Sequence, residues 1–165
     1  MALATPTPLP FPAAEGKENP VQPQEQDLVV EFAEQFSALQ GKFVFCLDEN
    51  ELGQNLQRLF TQNQWTKIYS TEARFRSLFN PQVLYDDIAT CDVSITSCEA
   101  LVARTGSLLL SSAGQGRVPS VYAPVHICIA TTSQLVYDIR EGLERVKSNH
   151  KEGLPSLITL ATGPS

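Results

Sequence analysis

From Leu28 through Phe32 and Phe36 to Leu39, apolar residues recur at spacings of three and four. That stripe predicts a helix opening at Asp27 and stopped by Gly41. Residues 42–47 (KFVFCL) form a short apolar run of strand type. Asp48 or Asn50 then caps a second helix, with Leu52, Leu56, Leu59 and Phe60 on one face. Residues 67–69 read as a strand, and 71–78 as a short helix opened by Ser70 or Thr71 and broken at Asn80-Pro81. Residues 82–85 fit a further short strand, 92–96 a strand and 97–104 a helical turn. The runs 107–111 (SLLLS) and 125–131 (VHICIAT) have the length and character of buried strands. Residues 133–149 carry Leu135, Ile139, Leu143 and Val146 on one helical stripe, and 154–161 close as a strand.

Continuous apolar strands separated by amphipathic helices predict an α/β fold, a three-layer α/β/α sandwich around a mainly parallel sheet. The chain of 165 residues is long enough to bury one substantial core. Residues 1–24 hold six of the eleven prolines and few large apolar groups. Burial there cannot repay the entropy of ordering, so a disordered tail is expected, with the domain at 25–165. The segment LATPTPLPFP also has the composition of a polyproline-type docking peptide.

Charge narrows the function classes. The formal net charge is −6, and the twelve Lys and Arg residues are scattered singly. That pattern lacks the electrostatic footprint of a nucleic-acid or anionic-membrane binder. No apolar run approaches the ~18 residues of a membrane span. Prolines at 6, 8, 10 and 12 interrupt the stretch a secretory leader would need, which predicts a cytoplasmic protein. Cys46, Cys91, Cys98 and Cys128 form no C-x-x-C pair, so neither a zinc site nor an iron–sulfur cluster is expected in this chain.

The candidate chemistry gathers between Asp92 and His126 and at the end of the chain. Gly114, Gln115, Gly116 and Arg117 follow the SLLLSS strand at the end where parallel sheets bind ligands, and Arg117 suits a carboxylate. Thr162, Gly163, Pro164 and Ser165 follow another strand and, in a parallel sheet, are expected on that same side. Thr105, Gly106 and Ser107 offer hydroxyls and N–H groups for an anion, although a left-handed helix cap explains Gly106 completely and leaves only the hydroxyls open to a ligand. His126 begins an otherwise apolar strand, which suits a core imidazole as well as a catalytic one. Glu99 is the one carboxylate near this block, as a nucleophile or as a salt-bridge partner.

The stretches SITSCEALVARTGSLLL, APVHICIATTSQLV and LITLATGPS together resemble the LUD-domain family, of the lactate-utilisation protein C type. The family's Thr-Gly-Thr turn falls on Thr105, Gly106 and Ser107. Its Pro-Pro-Val-His element falls on Ala123, Pro124, Val125 and His126, and its Thr-Gly-Pro-Ser turn on Thr162 to Ser165. Arg104 stands where the family often has an acidic residue. The resemblance implies a NagB/RpiA/CoA-transferase-like fold whose C-terminal helix and strand are missing here, as from a truncated chain. It also implies a part in oxidising L-lactate to pyruvate, beside partner proteins that carry iron–sulfur clusters.

Three functions follow as expectations. The first is a cluster-free accessory subunit of a lactate-oxidising system that binds a small carboxylate or anion, alone or as a homo-oligomer. The second is a stand-alone enzyme of the CoA-transferase or sugar-phosphate isomerase type, with Glu99 or His126 as nucleophile or acid–base. The third is a non-catalytic interaction module.

Overall fold

The computed structural model describes residues 27–113 and 119–163. The expected tail at 1–24, the loop residues Gly114, Gln115, Gly116 and Arg117, and Ser165 lie outside the described residues. Asp27 accepts the N–H of Val29 and opens α1, Leu28–Ala38. Asp48 accepts the N–H of Glu51 and opens α2, Glu49–Asn63. Three further helices are α3 (Ala73–Arg76), α4 (Pro119–Tyr122) and α5 (Ile139–Asn149). The strands are β1 (Ile68–Tyr69), β2 (Leu84–Tyr85), β3 (Val93–Thr96), β4 (Ala100–Val102), β5 (Ser107–Ser111), β6 (His126–Cys128), β7 (Leu135–Val136) and β8 (Ile158–Thr162).

The strands divide between two four-stranded sheets. The first, in the order β2-β1-β3-β6, is parallel throughout. The second, in the order β7-β4-β5-β8, pairs β7 with β4 in parallel and sets β5 antiparallel to both its neighbours. Parallel pairing therefore dominates, and the α/β expectation is met. The chain passes from the first sheet to the second twice, from β3 into β4 and from β6 into β7. Because β3 pairs with β6 and β4 with β7, the two crossings run side by side.

Side chains alternate across the second sheet with the period of a pleated strand. Leu101, Ala103 and Leu110 pack with Phe32 of α1. Ala100, Val102 and Leu109 pack on the other side with Val136 and with Val146 of α5. Helices thus cover both faces, which makes three layers here and accounts for the unbroken SLLLS run. The first sheet buries Ile68, Val93 and Ile95 against Leu56 and Phe60 of α2 and Phe75 of α3.

Several local expectations are corrected. Residues 42–47 form no strand: Phe43 packs edge-on against Phe32, while Val44, Phe45 and Leu47 are exposed. Residues 97–104 are not a helical turn. Pairing with β5 and β7 draws Ala100–Val102 into β4, and only Ala103–Thr105 keep a 3-10 turn. The helix expected at 133–149 begins at Ile139, where Asp138 caps it through the N–H of Glu141, because Leu135–Val136 is taken by β4. The helix after β1 starts at Ala73 with Glu72, not Ser70 or Thr71, at its cap position.

Strand polarity moves one candidate. The β5–β8 register aligns Ser107 with Thr162 and Ser111 with Ile158. Thr162 and Gly163 therefore lie beside Thr105–Ser107, about 13 Å along β5 from the end that leads to residues 114–117. They do not share that side, because β8 runs antiparallel to β5 rather than parallel.

Candidate functional site

In the first sheet the chain goes from β1 outward to β2, then returns to place β3 on the opposite side of β1. In open α/β sheets such a reversal is where a ligand crevice is expected, at the C-terminal ends of the two central strands, since the connections diverge to either side. Ser70 and Glu72 follow β1 there, and Thr96 and Ser97 end β3. Ser97 donates its backbone N–H to Glu72 Oε1 at 2.6 Å, bridging the two strand ends. Glu72 Oε2 accepts from Arg74 Nε at 2.9 Å, and the Arg74 guanidinium lies 4.4 Å from the Phe75 ring centroid. The Ser70 hydroxyl is buried and bonds no group among the described residues.

His126 reaches this edge although it begins β6. Its backbone pairs with Ser94, but β6 is only three residues long, and the ring extends forward so that Nε2 lies 2.7 Å from Thr96 Oγ1. Thr96 Oγ1 gives its proton to Ser97 O at 3.0 Å. With its proton given to Ser97 O, Thr96 Oγ1 would accept from His126 Nε2–H, the tautomer that leaves the ring lone pair on Nδ1. Burial pushes the His126 pKa below the ordinary 6.5, so the ring is neutral at pH 7.

The crossing behind these residues is densely bonded. Gln134 donates to Cys98 O and accepts the N–H of Thr131 at 2.8 Å, tying the β3–β4 crossing to the β6–β7 crossing. Cys98 and Cys128 pack in one cluster. Their hydrogen bond, followed by burial, pushes the Cys128 thiol well above its ordinary pKa and disfavours the thiolate.

Glu99 lies apart from His126. Its Oε1 accepts from Ser111 Oγ at 2.6 Å and pairs with His150 Nε2 at 2.8 Å, while Oε2 accepts from Asn149 Nδ2 at 3.3 Å. Burial works to raise its pKa, but the bonds from Ser111, His150 and Asn149 outweigh it and hold the carboxyl below its ordinary value. Glu99 thereby fastens β4 to the end of β5 and to the end of α5.

Among the described residues the remaining sequence candidates form a third group. Ser107 Oγ lies 2.8 Å from both Thr105 Oγ1 and Thr162 Oγ1. Gly106 has φ +58°, and a Cβ there would come within 2.5 Å of the Phe36 backbone nitrogen. The glycine is thus required for α1 to pack against this turn. Three sequence-predicted sites accordingly occupy three places, and the crevice adds Glu72, Arg74 and Thr96, which sequence reasoning passed over. One signal for Glu72 existed, a carboxylate shortly after the strand at 67–69. Among the described residues no three His, Cys, Asp or Glu side chains converge as metal ligands, and no helix is long and apolar enough to cross a membrane.

Residues 29–165 match the family model described as LUD domain. Over 87 residues the chain is 32% identical to lactate utilization protein C of Deinococcus radiodurans, an alignment covering 52% of this chain and 40% of that protein. Over 75 residues it is 33% identical to an uncharacterized protein of Neisseria meningitidis serogroup B, covering 45% of this chain and 32% of that one. The chain thus aligns with less than half the length of these curated relatives. A crystal structure of a DUF162 family protein from Deinococcus radiodurans shares the fold, with a TM-score of 0.70 and 19% identity over 82% of this chain and 87% of that one.

Proposed function

The chain belongs to the LUD-domain family, and on that premise we propose that it serves L-lactate utilisation as a cytoplasmic subunit holding a small carboxylate. It carries no cluster of its own and works beside partner proteins that hold iron–sulfur clusters. The ligand's place is the crevice between the ends of β1 and β3. The observation that carries this reading is the backbone N–H of Ser97 at that strand end, which a carboxylate, that of Glu72, already accepts beside the neutral His126–Thr96 pair. N–H groups at strand ends are fixed dipoles that hold an anion without the desolvation cost of a buried charge. Glu99 is a poorer candidate for chemistry, because both its oxygens are engaged in joining β4, β5 and α5.

A strain lacking this gene, and holding no second lactate-oxidising system, is expected to lose growth on L-lactate and regain it from a wild-type copy. Undiminished growth on L-lactate overturns the reading. In purified protein, L-lactate or pyruvate is expected to shift the amide resonance of Ser97 and the ring resonances of His126.

A further inference from the structure

At the strand ends where a ligand crevice is expected, a carboxylate is already bound, and it belongs to the protein. Glu72 reaches from the end of β1 to the N–H of Ser97 at the end of β3, across 25 residues of sequence. Its second oxygen takes Arg74 Nε. A backbone N–H on one oxygen and a guanidinium N–H on the other is the recognition pattern that a free small carboxylate would require. The bond sits at the point where the strand order reverses, the place where the topology opens a ligand crevice. The buried Ser70 hydroxyl, without a partner among the described residues, stands two residues before Glu72. A polar atom buried in this way is costly unless some further group satisfies it.

We propose that Glu72 occupies the carboxylate subsite of the ligand-free protein and must be displaced by the carboxylate of a small anionic ligand. This rests on the reading that the crevice takes such a ligand, and it names the residue that limits its affinity. Glu72 stands at the cap position of the four-residue α3 without a side-chain bond to the helix N–H groups, so moving its carboxylate removes no cap. Ser97 N–H and Arg74 Nε are then released to the incoming carboxylate. Glu72 is a positioning residue, which sets a threshold that weak or uncharged ligands fail to cross.

Acetate is the simplest probe, because it tests the subsite alone. Glu72→Ala is expected to bind acetate about tenfold more tightly than the wild type, the scale of one charge-assisted hydrogen bond no longer competed for. The Ser97 amide resonance reports the binding, and acetamide should gain nothing. Glu72→Gln keeps the volume and one acceptor, and its expected gain is about threefold. This second variant keeps the test decisive if the alanine protein fails to fold. Equal or weaker acetate binding in the folded variants overturns the proposal. Tighter acetate binding with no binding of L-lactate or pyruvate upholds it and sinks the lactate reading. Conversely, L-lactate bound with equal affinity by wild type and variants upholds the lactate reading and sinks this one.

Discussion

Glu99 shows how a residue's role is set by partners far along the chain. Its carboxylate is largely buried and collects donors from Ser111, Asn149 and His150, the last of them 51 residues away. Replacing it with glutamine keeps the volume but removes the charge and one acceptor position. Glu99→Gln is expected to destabilise the fold by about 1–3 kcal/mol, as for other hydrogen bonds to a buried charge. The midpoint of urea unfolding measures this. His150→Ala should be strongly non-additive with it, because each substitution removes the same contact. Sequence alone singled out Glu99 as the carboxylate nearest the block. His150 was illegible there, since nothing local to SNHKEG signals a partner on β4. Glu72 was hidden for a different reason. Its bond to Ser97 depends on which strands are neighbours, and strand order is not written in hydrophobic periodicity.

At the scale of elements, local pattern succeeded where one helix face met one sheet face, and failed where pairing decided the outcome. The stripes through Phe32 and Leu56 gave α1 and α2 with their caps, because capping and amphipathicity are local properties. Residues 97–104 carry the helix-favouring run EALVAR, yet β5 and β7 on either side of Ala100–Val102 offer a full ladder, and tertiary pairing overrides propensity. The opposite failure is KFVFCL, a run of strand composition with no strand beside it. The turn at Gly106 is where two elements constrain each other most closely. Its φ of +58° already disfavours any side chain, and the Phe36 backbone leaves no room for a Cβ. Relaxing the clash requires α1 to move off the second sheet, so Gly106→Ala is expected to cost more than the ~1 kcal/mol of backbone strain alone. Urea unfolding of the variant checks it, and a loss below that figure would mean that α1 shifts freely.

For the molecule as a whole, acid is the informative perturbation, since three groups with lowered pKa values, His126, Glu99 and Asp92, titrate in that range. The folded-state pKa of His126 lies below its ordinary 6.5, because burial disfavours the charged ring. The unfolded chain therefore binds the extra proton first, and stability rises with pH across that window. The His126 contribution is complete above about pH 6.5 and is lost as the pH falls from there toward the folded value. Glu99 titrates lower, its folded pKa held below the ordinary 4.5. Its contribution is complete above that pH and is lost only as the pH falls through the folded value. Acid should thus weaken the fold in two stages, the first at the Thr96–His126 edge of the first sheet and the second where Glu99 joins β4 to α5 and where Asp92 accepts the N–H groups of Thr66 and Lys67. Net charge complicates the lower stage, because the chain approaches neutrality near its pI of about 4.9, where self-repulsion vanishes and association is favoured. Melting temperatures followed at low protein concentration from pH 8 to pH 4 separate the effects. Replacing His126 with glutamine, which keeps a donor for Thr96 but cannot titrate, should abolish the upper stage and leave the lower one in place. A His126→Gln protein that still loses stability between pH 7 and pH 5.5 as steeply as the wild type would show that the imidazole is not the group responsible.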